Sequence, residues 1–108
     1  MPIHNKLVRD KIPQVIEKTE KEFTTRILSP EEYRVELDKK LIEEFTEYQQ
    51  ATTNEEAVEE LADILELVHA AAKMHGATIE QLEEVRRAKA EKRGGFEKRI
   101  FLIEVEDD

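Results

Sequence analysis

The chain has 108 residues, 40% of them charged, and carries a formal net charge of -9. That length sets one domain, residues 1–108, with a modest core that a partner subunit would stabilise. The acidity argues against nucleic acid, whose binders present a basic face, and the lack of cysteine excludes disulfides and thiolate metal sites.

No apolar run approaches membrane-spanning length and the N-terminus has no signal-peptide core, so the expectation is a cytoplasmic protein without a membrane partner. An acidic chain still binds a phosphorylated small molecule where divalent cations bridge the two negative charges.

Residues 1–9 read as extended. Asp10 then caps a short helix over 12–20, with Pro13 in its first turn and Ile12, Val15 and Ile16 as its apolar stripe. Phe23 to Leu28 reads as a short extended segment. Ser29-Pro30-Glu31-Glu32 is a strong helix start, with serine as N-cap, proline at N1 and Glu32 placed for a capping box. This second helix runs to about Gln50. Thr53 and Asn54 are the next capping candidates, and Glu55 and Glu56 suit the helix dipole behind them. The third helix ends near His75, with Gly76 as the C′ residue. Thr78, with Gln81 at the capping-box position, opens a fourth helix to about Lys92, which Gly94-Gly95 breaks. Residues 100–105 read as a docking tail, or as a strand pairing with 23–28.

Winding the two long helices at about 100° per residue exposes an anomaly. In the second helix, Leu37, Leu41 and Tyr48 fall within roughly 60° of Glu44, with Phe45 at about 100° and Tyr33 and Ala51 on the other flank. Glu44 therefore stands inside the apolar arc. Glu47 lies at its edge, and Glu43 points away. In the third helix, Ile64, Leu67 and Ala71 fall within roughly 40° of Glu60, with Leu61 and Val68 at about 100°. Asp63 takes the edge position there. Two helices thus carry the same i, i+3 acidic pair intruding on the core stripe. A short connection makes them antiparallel neighbours, so the pairs converge. Four such carboxylates repel one another unless a cation joins them, and all-oxygen ligands select Mg²⁺ or Mn²⁺. The rival reading is a set of solvated charges, or of glutamates paired with lysine or arginine.

Glu43-Glu44-Phe45-Thr46-Glu47 followed by Glu60-Leu61-Ala62-Asp63 resembles the EExxE…ExxD signature of the MazG-like all-α nucleoside triphosphate pyrophosphohydrolases. That superfamily also holds the phosphoribosyl-ATP pyrophosphohydrolases and the dimeric dUTPases. Asn5-Lys6-Leu7-Val8-Arg9-Asp10-Lys11-Ile12-Pro13 and Lys92-Arg93-Gly94-Gly95-Phe96 resemble the ends of small phosphoribosyl-ATP-pyrophosphohydrolase-like proteins, so the likeness spans most of the chain. It implies Glu44, Glu47, Glu60 and Asp63 as Mg²⁺ ligands and catalytic groups. It implies attack of water on the α-phosphorus of a nucleoside triphosphate, releasing pyrophosphate and a nucleoside monophosphate. Arg87 and Ala88 stand where full MazG proteins tend to carry an asparagine, shortly before the lysine that aligns with Lys89.

Phosphate charge needs further cations. Candidates are Lys6, Arg9 and Lys11 near the N-terminus and Lys89, Lys92 and Arg93 at the end of the fourth helix. Glu66-Leu67-Val68-His69 is a single ExxH that winds to the polar side, short of the paired motif of a di-iron bundle. Ser29, the only serine, reads as a cap and not as a nucleophile. The expected fold is all-α: an antiparallel bundle of about four helices with a short two-stranded β element. The first and fourth helices flank the central pair, and the assembly is a homodimer or homotetramer. Two alternatives stay open: phosphoribosyl-ATP hydrolysis, which is the same chemistry, and a non-catalytic nucleotide-binding helical module.

Overall fold

The computed structural model describes residues 2–107. Four helices follow one another: α1 (Ile12–Glu17), α2 (Pro30–Gln50), α3 (Asn54–Met74) and α4 (Ile79–Arg93). The caps of the three longer ones form as their sequences dictate. Ser29 Oγ accepts from the Glu32 backbone N–H at 3.2 Å, while the Glu32 carboxylate accepts from the Ser29 N–H at 3.1 Å, and Pro30 opens α2. Thr53 Oγ1 accepts from Glu56 N–H at 3.1 Å at the head of α3. Thr78 and Gln81 close a second reciprocal box on α4, at 2.8 and 3.0 Å.

α3 stops in a Schellman turn. The Ala77 N–H donates to Ala72 O at 2.9 Å and the Gly76 N–H to Lys73 O at 3.0 Å. Gly76 takes φ 81°, a left-handed conformation that a Cβ would strain. Gly94 also has a positive φ, 85°, but with ψ 175° it leaves α4 in an extended conformation open mainly to glycine.

α2 and α3 share by far the largest helix–helix contact, and α4 packs on α3 alone. Residues 51–53 are the whole connection between α2 and α3, so the two run antiparallel. Two expectations need correction. α1 touches none of the other helices, so it does not flank the central pair. It is also shorter than 12–20 and has no side-chain cap: Lys11, not Asp10, is its N-cap residue, and the chain turns out through Glu20 at φ 60°. A helix of six residues that packs on no other helix has little to offset the cost of nucleation. The second correction concerns the β element. Among the described residues there is no strand, and 23–28 and 100–105 do not pair. Two short strands with no sheet or helix to cover them are not stable in water.

Within one chain the interior is thin. Leu37 and Glu44 are the buried residues among those described. The radius of gyration is 18.5 Å and the extents are 61 × 35 × 26 Å; a compact chain of this length would have a radius near ~13 Å. No helix among the described residues is long and apolar enough to cross a membrane.

Candidate metal and phosphate site

The site lies where α2 and α3 face each other, about two turns from the connection that joins them. Leu37 is fully buried there, and about two helical turns further on Glu44 is only 8% exposed. Glu60 reaches the same point from α3 and is half-buried, as is Asp63. One carboxylate oxygen from each of Glu44, Glu60 and Asp63 lies within 4.8 Å of the other two. Glu44 also belongs to a second cluster of the same tightness with Glu43 and Glu47. The four acidic residues singled out by helical winding therefore converge around Glu44.

Glu43 departs from its expectation. Winding directs it away, yet its long side chain swings its carboxylate back beside Glu44 and Glu47. A residue's angular position fixes only its Cβ, and three further torsions give a glutamate several ångströms of lateral reach.

The electrostatics of this cluster are unfavourable without a cation. Burial, then the carboxyls of Glu60 and Glu47, push Glu44 up to about 7. Lys40, whose Nζ stands 3.6 Å from Glu44 Oε1, only partly opposes this. Burial also raises Glu60. The neighbouring charges of Glu47 and Asp63 add to that rise, while a shared hydrogen bond with Glu44 works against it. One proton held between Glu44 and Glu60 relieves both groups. With both ionised, Oε2 of each is a buried oxygen facing no donor.

A groove of about 940 Å³ opens from this cluster. Residues 6–11 form one wall, and α2 and α3 form the other. All three N-terminal cations, Lys6, Arg9 and Lys11, line it. Arg9 goes further: its Nη2 donates to Asp63 Oδ1 at 2.6 Å. Every other side-chain hydrogen bond among the described residues joins groups six or fewer positions apart, so this one alone ties the N-terminal segment to the helices. The α4 cations behave differently. Lys89, Lys92 and Arg93 are exposed and absent from the groove wall.

Two further lysines line the groove that the sequence reading passed over, Lys40 and Lys73. Lys40 was detectable: it precedes Glu44 by four positions and Glu43 by three, the spacing of helical ion pairs, and its Nζ sits 3.4 Å from Glu43 Oε2. Lys73 carries no such local signal, since only the approach of residues 6–11 makes its side of α3 a wall. Tyr33 also lines the groove, one turn before Leu37. Glu66 and His69 face it as well, but neither joins the acidic clusters.

Chemically, the arrangement offers an acidic floor that discharges best onto a hard divalent cation, beside a wall of flexible cations that suits an anion. No family model matches the chain, and no curated protein and no solved structure matches it.

Proposed function

We propose that the chain is a Mg²⁺-dependent nucleoside triphosphate pyrophosphohydrolase, converting an NTP or dNTP and water to a nucleoside monophosphate and pyrophosphate. The observation that carries this reading is the pair of buried, unpartnered oxygens, Glu44 Oε2 and Glu60 Oε2, brought together from adjacent helices. Burying two carboxylates side by side is costly, and a fold keeps such a pair where a ligand offsets the cost. An all-oxygen donor set fits Mg²⁺, or Mn²⁺, and not zinc or copper. The residues holding it would be Glu44, Glu60 and Asp63, with Glu47 at the outer edge.

When bound, the metal would supply phosphate coordination and a more acidic attacking water. The chain's own residues do the rest. The carboxylates accept the proton that the water loses as its oxygen forms a bond to the α-phosphorus. The bond from that phosphorus to the α–β bridging oxygen breaks, and the electron pair leaves with pyrophosphate. Lys6, Arg9 and Lys11 hold the phosphate tail along the groove wall, with Lys40 and Lys73 opposite, so negative charge meets fixed cations as it develops. Lys89, Lys92 and Arg93 would act only by reaching a neighbouring subunit's groove. The acidic signature and both flanking segments noted in the sequence support the same assignment. They also support a cytoplasmic homodimer or homotetramer whose work is the removal of non-canonical nucleotides.

The test is to incubate the protein with Mg²⁺ and a panel of canonical and modified nucleoside triphosphates, with phosphoribosyl-ATP included, and to assay pyrophosphate. Release that vanishes in Glu44→Gln and Glu60→Gln is the expected result. Turnover confined to phosphoribosyl-ATP would reassign the substrate. Thermal stabilisation by nucleotides without turnover across the panel would make the chain a binding module and overturn the enzyme.

A further inference from the structure

Residues 5–9 cross from α2 to α3 on the groove side of the acidic cluster. A cleft of about 150 Å³ is lined by residues 5–7 together with Glu36, Lys39, Lys40 and Glu43, which sets that stretch against α2. A few positions later Arg9 Nη2 donates to Asp63 Oδ1 on α3 at 2.6 Å. Three residues of chain reach about 10 Å at most, and packed helix axes stand ~8–10 Å apart, so the segment takes the direct path across the pair. Leu7 is half-buried beneath it. Beyond that, little holds the segment. Among the described residues, 2–8 enter no hydrogen bond, and α1, which follows, packs on no other helix.

We infer that residues 5–9 form a strap that Arg9 latches across the cluster in the metal-free chain, and that Asp63 releases the strap on turning to a divalent cation, which frees the guanidinium for the phosphates of the incoming ligand. The inference rests on the metal reading of the cluster but not on hydrolysis. Competition for Asp63 is the first argument. Glu44, Glu60 and Asp63 bring carboxylate oxygens within 4.8 Å of one another, and Oε2 of Glu44 and of Glu60 is buried without a donor. A dication there gains three carboxylates where Arg9 has one. Arginine keeps its charge, so it yields a carboxylate only by moving, and like charges that share one small group repel. Strength is the second. Both partners of the latch are exposed, 60% and 40%, and such a pair favours the latched form by no more than about fivefold. That is enough to close the strap in most molecules and weak enough for a dication to break. Destination is the third. Lys6 and Lys11 flank Arg9 on its own segment, with Lys40 and Lys73 across the groove, and a freed guanidinium can grip phosphate oxygens there in pairs. Binding is therefore ordered: the cation comes before the anion or with it, and a nucleotide stripped of cation meets a closed strap whose arginine is engaged.

The test uses the full chain without nucleotide. The chain has no cysteine, so a nitroxide on Val8→Cys, beside Arg9 and 39% exposed, reports the strap alone. Its spectrum should be dominated by a slow component in chelator. That component should be lost on adding Mg²⁺, with the midpoint of the Mg²⁺ isotherm measured by calorimetry on the same sample. With Arg9→Gln added, the label should be fast with and without Mg²⁺ while Mg²⁺ still binds. With Lys6→Gln, on the strap but outside the latch, the slow-to-fast change should survive. Limited digestion of the unlabelled wild-type chain stands beside these, since trypsin must seat the arginine side chain. Relative to Arg99 in the tail, cleavage after Arg9 should speed up by as much as about fivefold with Mg²⁺. Where label and digestion differ, the digestion decides, because it carries no substitution. Mg²⁺ bound in calorimetry with cleavage after Arg9 unchanged would sink the strap and leave the metal site standing, and so would an Arg9→Gln label that stays slow. No Mg²⁺ binding at all would remove the metal reading and the strap with it.

Discussion

Glu32 and Glu44 are the same residue on the same helix, twelve positions apart, and their carboxyls sit at opposite ends of the range. Glu32 is exposed at the head of α2, where the Arg26 guanidinium grips it at 2.7 and 3.1 Å and the Ser29 N–H donates to it. Arg26 first, then Ser29, hold it down at about 2. Glu44, buried at mid-helix among other carboxylates, is held up at about 7. The charge of Glu32 helps the fold, satisfying backbone donors that a helix start would otherwise leave open. The charge of Glu44 works against the fold. A site that strains the empty protein is a site shaped for something else, and mutation separates the two cases by the sign of their effects.

The largest effect is expected at the strained end. Glu44→Gln and Glu60→Gln should each lower pyrophosphate release by about 100-fold or more, since outer-shell ligand partners alone cost 10–100-fold. The same variants should melt higher than wild type in the presence of a chelator, because a buried, repelled charge has been removed. Loss of activity with lower chelated stability would erase the contrast with Glu32.

The pH dependence comes next. The folded-state value of Glu44 lies above the ordinary value of 4.5. Its contribution to metal-free stability is therefore fully present below about 4.5, and it is lost as pH rises through about 7. Chelated wild-type protein should lose up to roughly 3 kcal/mol across that window, one pKa step being about 1.4 kcal/mol. The loss should flatten in Glu44→Gln and in saturating Mg²⁺, as read by denaturant melts. Glu32 has the opposite sign: its depressed value means a contribution present above about 4.5 that disappears as pH falls toward about 2.

Ser29→Ala should cost about 1 kcal/mol at every pH near neutrality through loss of the cap, with Mg²⁺ binding unchanged. The smallest effect is expected at Arg9. Its pair with Asp63 is exposed on both sides, 60% and 40%, and such pairs contribute under ~1 kcal/mol. Arg9→Ala should tighten Mg²⁺ by at most about fivefold in calorimetry, since Asp63 is freed. It should raise KM for a triphosphate. Weaker Mg²⁺ binding in this variant would mean that Arg9 orients Asp63 for the metal and does not compete with it.

Much of the site was legible before any coordinates. The position of Glu44 and Glu60 inside apolar arcs is a consequence of helical period, and a three-residue connection leaves the two helices no arrangement but antiparallel contact. The reading failed where side-chain length or distant chain segments decide. Glu43 joins its neighbours through torsions that winding ignores. Lys73 becomes part of a wall because residues 6–11 cross in front of it. Lys89, Lys92 and Arg93, named as candidates for the charge that a phosphate needs, stand on α4, which packs on α3, and are not among the residues lining the groove.

What the sequence alone determined is local and periodic: the caps at Ser29, Thr53 and Thr78, the left-handed stop at Gly76, the lengths of α2, α3 and α4, and the two acidic pairs that break the hydrophobic stripe. These follow from backbone hydrogen bonding and a 3.6-residue repeat, which act over a few residues. Tertiary structure decided what depends on distant parts meeting. It left α1 without a packing partner and kept 23–28 and 100–105 from pairing. It brought Arg9 across 54 positions to Asp63. Such outcomes are set by which surfaces compete for burial, and that competition has no signature within any single segment.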